Sequence, residues 1–230
     1  MNKLACKVDH GTLRFSNHEF ADYSLEACGL SLGWDHRSVF EECTFTRIKA
    51  KKCSVGIPIF KRCRFVDISA DDNGVFLYGA GFSECVFSGV LRNVVFDFMC
   101  DQIPMQPDKK RRAEQVQKEN LELAARSAFT IDLRSAAIDK VAICKGDLAV
   151  PYVRCERGQA VILKADNLFE KLVELGRAES NQAKGDFFLT TGALPGDRVA
   201  IALVENAARK FIEDCEQQMR RKGIEVDYLS

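Results

Sequence analysis

The feature that most constrains this chain is a six-residue phrase, F-x-x-C-x-F, that occurs three times. It reads FEECTF at 40–45, FKRCRF at 60–65 and FSECVF at 82–87. Repeats of roughly 20 residues are typical of architectures in which each unit buries its apolar side only by stacking on its neighbours. The phrase therefore predicts a stack of similar units, with a cysteine at the same place in each.

A five-residue apolar period underlies the phrase. Taking every fifth residue from Phe15 to Ala80, thirteen of fourteen positions are apolar, and Asp35 is the exception. Five is the period of neither an α-helix nor a simple strand. The pattern predicts a square coil with one pentad per side and four pentads per turn, in which successive turns lie about 4.8 Å apart. After Ala80 the phase slips by two residues, and ADDNG at 70–74 is the expected bulge.

Residues 20 apart then form interior columns. Four columns are expected: Phe20, Phe40, Phe60 and Phe82; Leu25, Phe45, Phe65 and Phe87; Tyr23, Cys43, Cys63 and Cys85; and Cys28, Ile48, Ile68 and Val90. The cysteines are thereby expected indoors, as small fillers between phenylalanine columns.

Charge patterning supports the same register. Residues 43–66 hold seven basic side chains and no acidic ones, which resembles a nucleic-acid patch. A shift of 20 residues, however, places Arg47 beside Asp67, Lys51 beside Asp71, and Glu42 beside Arg62. Neighbouring turns are expected to neutralise each other in this way. Since lysine plus arginine equals aspartate plus glutamate over the whole chain, 33 each, direct nucleic-acid binding is not indicated.

Stacked pentads with a large apolar centre and a small residue two positions earlier resemble the pentapeptide-repeat proteins. The resemblance covers Phe15 to Phe98 and a second run that contains Asp132-Leu133 and Gly146-Asp147-Leu148. The chain departs from the usual A-[D/N]-L-x-x phrase by using Cys or Ile for Ala and Phe for Leu. The resemblance implies a right-handed quadrilateral β-helix.

The expected fold class is mainly β with α, namely this β-helix with a helical insertion and a C-terminal helical region. Four segments follow: β-helix coils at 11–105, a helical insertion at 106–126, a further coil and closing strand at 127–163, and a helical cap at 164–230. Within the cap, a helix is expected over 166–176 and a long one from Pro195 to about Lys222. The apolar stripe of the long helix is expected to pack on 166–176 or on the stack, or to form a homodimer contact.

No catalytic or metal motif stands out in the sequence. There is no C-x-x-C pair, G-x-S-x-G, H-E-x-x-H or phosphate-binding glycine loop. The three histidines, His10, His18 and His36, lie near the first coils and away from most of the thiols. We therefore expect a protein that is not an enzyme and that needs no cofactor. Because no apolar run reaches the length of a membrane helix and the N-terminus does not resemble a signal peptide, a cytoplasmic location is expected.

The family resemblance implies three functional alternatives. The first is an immunity protein that neutralises a cognate secreted bacterial toxin, such as a nuclease effector, by direct binding. The second is a DNA mimic that binds DNA gyrase, although residues 11–105 carry ten Lys/Arg against twelve Asp/Glu and copy the charge of DNA poorly. The third is a binding scaffold of unknown partner.

Places where the pentad pattern breaks are the candidate contact points with a protein partner. The predicted contact residues are Trp34, Asp35, His36 and Arg37 in GWDHR, and Asp71, Asp72 and Asn73 in DDNG. Tryptophan and arginine are frequent anchors of protein interfaces. The alternative is that both segments are ordinary loops.

Overall fold

The computed structural model describes residues 2–5, 12–30, 37–72, 74–97, 107–144, 152–156, 158–180, 182, 184–185, 191–193, 195–203 and 209–228. Within them the protein is mainly β with some helix, as the sequence predicts.

Eighteen strands and three helices longer than two turns are described. The strands are β1 (Asn2–Ala5), β2 (Arg14–Ser16), β3 (Glu19–Ala21), β4 (Tyr23–Glu26), β5 (Gly29–Leu30), β6 (Val39–Glu41), β7 (Thr44–Lys51), β8 (Ser54–Val55), β9 (Ile59–Lys61), β10 (Arg64–Ala70), β11 (Val75–Tyr78), β12 (Gly81–Ser83), β13 (Cys85–Asp97), β14 (Ile131–Cys144), β15 (Val153–Arg154), β16 (Ala160–Lys164), β17 (Val199–Leu203) and β18 (Glu225–Tyr228). The helices are α1 (Pro107–Ala125), α2 (Leu168–Ala178) and α3 (Arg209–Arg221).

The three F-x-x-C-x-F phrases lie directly over one another in parallel strands. Phe45 pairs with Phe65, and Phe65 with Phe87. Their rings stack, with centroids 4.9 Å and 4.5 Å apart and planes within 6° of parallel. A second ladder runs through the first phenylalanine of each phrase, at 40, 60 and 82. The columns predicted for these three turns are confirmed.

The register predicted for the first turn is wrong. Phe15, not Phe20, stacks on Phe40, and Phe20 stacks on Phe45, with centroids 5.5 Å and 4.9 Å apart. The offset between these turns is therefore 25 residues, one pentad more than expected. The additional residues fall between β5 and β6, at 31–36, outside the described residues. Leu25 consequently pairs with Ala50.

Two irregularities interrupt the stack. The predicted two-residue insertion at 70–74 is confirmed, because the offset is 20 residues where Ala70 meets Ala50 and 22 where Leu77 meets Val55. A second irregularity, at Gly89, was not predicted. It turns Val90 outward, where it is 41% exposed, and brings Leu91, 1% exposed, into the column assigned to Val90.

Left-handed backbone conformations recur with the five-residue period of the sequence. Positive φ occurs at Asn17, Asp22 and Ala27, at Glu42, Arg47 and Lys52, and at Arg62 and Asp67, with values between 50° and 60°. Each lies between short extended segments. L-residues adopt this conformation at a cost of roughly 1–2 kcal/mol, so their repeated use shows that stacking of the flanking strands compensates for it.

Helix α1 interrupts the chain without ending the stack, as the sequence predicts. It packs beside β12, where Val116 and Ile57 are buried against each other. After the helix, β14 continues the parallel order on β13, with Phe96 opposite Ile143. β15 adds one further parallel pair to β14.

The C-terminal region is not the helical cap that the sequence predicts. β16, predicted as the closing strand, pairs antiparallel with both β17 and β18. The long helix expected from Pro195 is replaced by β17 and, further on, by the shorter α3. β17 reads VAIAL, and its apolar residues satisfy a strand because β16 supplies the hydrogen bonds and α2 and α3 the covering layer. The apolar stripe of α3 at Ile212, Cys215 and Met219 is buried in this unit beside α2, which confirms packing on 166–176.

Candidate functional site

The predicted contact residues fall into different environments. Trp34, Asp35, His36 and Asn73 lie outside the described residues. Asp71 and Asp72 form the turn after β10, where Asp72 is exposed and the backbone oxygen of Asp71 accepts from the amide of Gly74.

Arg37 was predicted as an exposed contact, but the structure places it indoors. Its side chain is 6% exposed. The guanidinium donates to the backbone oxygens of Ile57, Pro58 and Gly79, at 2.7, 3.3 and 3.2 Å. It also donates to Asn120 Oδ1 at 2.7 Å and Glu119 Oε2 at 3.1 Å, both on α1. Arg37 thus joins the inserted helix to the stack.

The cysteines of the stack are interior fillers, as expected. Cys43, Cys63 and Cys85 are fully buried, and each thiol donates to backbone oxygens of its own or the preceding turn. Burial raises the pKa of the Cys43 and Cys85 thiols, and burial raises the pKa of Cys155 to about 12. Thiols that resist ionisation are poor nucleophiles and poor metal ligands.

A row of titratable groups on β11, β13 and β14 was not anticipated. Tyr78, Asp97 and Cys144 are consecutive register partners on adjacent strands. Asp97 and Cys144 are 2% and 5% exposed. Burial and the neighbouring charge of Asp97 raise the pKa of Tyr78. The strand register, which the pentads after the second irregularity did not reveal, brings these three together.

One outward face of the stack is densely charged. This charged face consists of Ser24, Glu26, Lys49, Lys51, Lys52, Ser69, Asp71, Asp72, Arg92, Asp139 and Lys140. Its central row is continuous, since Ser24 pairs with Lys49, and Ser69 with both Lys49 and Arg92. The inward neighbour Ala50 is buried, so Lys49 and Lys51 must point outward.

Only part of this charge is neutralised internally. Lys51 Nζ lies 2.8 Å from Glu26, and Arg92 pairs with Asp139. Within the described residues, Lys49, Lys52, Asp72 and Lys140 make no ion pair. The face carries five cations and four anions in mixed order, so both signs are available to a partner.

The charge pairs predicted from a 20-residue shift are corrected in the first turn. Arg47 pairs with Asp22 at 2.6 Å rather than with Asp67, and Lys51 pairs with Glu26 rather than with Asp71. The longer offset of that turn is the reason. One turn further on, the predicted pair of Arg62 with Glu42 is confirmed at 2.9 Å, and Arg62 also reaches Glu41 at 2.6 Å.

Two searches of the described residues returned nothing. They contain no group of three or more His, Cys, Asp or Glu side chains arranged to hold a metal ion. None of the helices in these residues combines the length and the apolar character that crossing a membrane requires.

Comparison with protein-family models, with curated proteins and with solved structures found no match to this chain.

Proposed function

We propose that the parallel stack is a four-sided coil of the pentapeptide-repeat type. Three features support the proposal: the left-handed residues spaced by five, the phenylalanine ladders, and the 20-residue register between β7 and β10. A left-handed residue between two short extended segments turns the chain from one side of such a coil to the next.

We propose that the protein is a non-enzymatic binding protein and that its charged face contacts the partner. The mixed charge of that face is the observation that carries the proposal. Neighbouring cations and anions on a rigid sheet give electrostatic complementarity to another protein, which favours specific and rapid association. A polyanion would instead be repelled by Glu26, Asp72 and Asp139.

The partner class follows from the family resemblance. We propose a cognate secreted toxin domain, so that the protein acts as an immunity protein in the cytoplasm, where such a toxin must be blocked. The charged face argues against the gyrase-binding alternative, because a DNA mimic presents continuous negative charge, whereas Lys49, Lys52 and Lys140 interrupt it here.

Co-expression with the product of the neighbouring effector gene tests the function. We expect protection of a bacterial host from that product and a stable 1:1 complex by size-exclusion chromatography with light scattering. Neither protection nor a complex would overturn the immunity proposal, and inhibition of gyrase supercoiling by the purified protein would favour the DNA mimic.

Charge reversal tests the surface. Lys49→Glu and Lys52→Glu should each weaken the complex, because each replaces an exposed, unpaired cation. Lys118→Glu, the same change on the exposed side of α1, is the matched control and should bind like the unmodified protein. If all three variants bind equally, the charged face is not the contact.

A further inference from the structure

A second outward face of the stack is nearly neutral. This neutral face consists of Glu19, Ala21, Thr44, Thr46, Arg64, Val66, Val86 and Ser88. These side chains alternate with the buried ladder at Phe65 and Phe87, so they point away from the core. They form two parallel rows, one led by Glu19, Thr44, Arg64 and Val86, the other by Ala21, Thr46, Val66 and Ser88.

Two charges on the neutral face have no counterpart in the described part of the chain. Arg64 and Glu19 are both exposed. Neither makes an ion pair there, whereas Arg47, Arg62 and Arg134 on the stack all do. An arginine amid threonine and valine side chains is a frequent hot spot of protein interfaces.

The spacing of these two charges is self-complementary. Glu19 pairs with Thr44, and Thr44 with Arg64, so the two charges lie two strands apart in one row. Adjacent strands are about 4.8 Å apart, which separates their Cα atoms by roughly 10 Å. A two-fold axis along β7 exchanges β3 with β10. It brings Arg64 of each copy opposite Glu19 of the other, and Thr44 opposite its own equivalent.

The second row satisfies the same symmetry. The axis places Thr46 opposite its equivalent, so that two hydroxyls meet. It places Ala21, the smallest side chain of the row, opposite Val66. Charges, hydroxyls and volumes are therefore matched in one arrangement. An axis along β10 would instead oppose two copies of Arg64 and is disfavoured by like-charge repulsion.

We propose that a second copy of this chain docks on the neutral face, forming a two-fold dimer held by reciprocal Arg64–Glu19 pairs. The contact is isologous, as in most homodimers. It covers short segments of three strands, so the dimer is weak and reversible. It leaves the charged face free and does not depend on the function proposed above.

Reciprocal charge reversal is the test, with the full chain at a series of concentrations in sedimentation equilibrium. The unmodified protein should associate, and more weakly at high salt. Arg64→Glu and Glu19→Arg should each weaken association about tenfold or more, since each replaces two attractive contacts per dimer with two repulsive ones. The double variant should recover association to within about threefold of the unmodified protein, because both pairs are restored with opposite polarity.

Lys118→Glu, which alters charge on α1, should associate like the unmodified protein. Circular dichroism and thermal melting of each variant monitor folding, and recovery in the double variant itself excludes loss of fold as the cause. The proposal is overturned by a monomer at every concentration, by single variants that associate normally, or by a double variant weaker than either single one. Sensitivity to Arg64→Glu but not to Glu19→Arg also overturns it, because it would mean that Arg64 meets some other group.

Discussion

Replacing Arg37 with methionine should release helix α1 from the stack and destabilise the whole protein. Methionine keeps much of the length and apolar volume of arginine but donates no hydrogen bonds. The substitution leaves the backbone oxygens of Ile57, Pro58 and Gly79 without the donors that serve them in a buried environment. It also removes the cation beside Glu119.

The expected cost can be bounded from the contacts. Removing one member of a buried, hydrogen-bonded charge pair destabilises proteins by about 3–5 kcal/mol. Glu119 is 35% exposed, so water stabilises it partly after the loss of Arg37, and the lower end of that range is expected. Arg62→Met is the matched control. Arg62 also bridges two acceptors, Glu41 and Glu42, but its side chain is 48% exposed, so its loss should cost no more than about 1 kcal/mol.

Urea unfolding followed by circular dichroism measures both variants. The free energy of unfolding should fall clearly more for Arg37→Met than for Arg62→Met, without a large change in the denaturant slope. Limited proteolysis should cut α1 first in Arg37→Met. If the two substitutions cost the same, burial of the Arg37 network does not hold the helix, and the reasoning is refuted.

Further predictions concern backbone strain and pH. Gly192→Ala should destabilise the protein more than Gly196→Ala, because both have positive φ, 72° and 88°, but a Cβ at Gly192 would lie 2.5 Å from the backbone oxygen of Ile143, while Gly196 has open space. Thermal melting compares them, and equal losses would contradict the close approach. Burial raises the pKa of Glu119, but the hydrogen bonds from Arg37 and from a second arginine outweigh it, so its pKa lies below the ordinary value of 4.5. Its contribution is therefore full above that value and disappears as pH falls through the lowered pKa. Glu119→Gln should flatten the acid limb of a stability-against-pH curve, and an unchanged limb would refute this assignment.

The phenylalanine phrases were sufficient to predict three turns of the stack. Phe40, Phe60 and Phe82 stack in the predicted order because large apolar side chains at a fixed spacing have only one way to stay out of water together. The interior position of Cys63 follows from the same periodicity. The two-residue insertion was also readable, since a phase slip in the pattern reports a bulge directly.

The pattern was silent wherever two apolar residues could exchange roles. Phe15 and Phe20 fit a column on Phe40 equally well, and the pentads do not state how many of them make a turn. Val90 and Leu91 are likewise interchangeable by hydropathy. The choice depends on Asp67, whose carboxylate accepts the amide of Val90 at 2.9 Å and leaves no room for a Cβ at Gly89.

The candidate surfaces depended still more on tertiary structure. GWDHR read as an exposed contact, but the stack and α1 surround the guanidinium of Arg37 with acceptors that are 20 to 83 residues away in the chain. Which charges remain unpaired on Lys49 or Arg64 depends on the strand register, and an offset of 25 instead of 20 residues reassigns the partners of Arg47 and Lys51.

The sequence by itself determined the stacked β core, its apolar ladders and the place of the inserted helix, because local periodicity and hydrophobic burial act on the same residues in every arrangement of the chain. Only the tertiary structure decided the length of the first turn, the strand at 199–203 and the pairing of the surface charges. Those outcomes depend on which distant segment supplies a hydrogen-bond partner or an opposite charge, and residues far apart in the chain do not encode that choice locally.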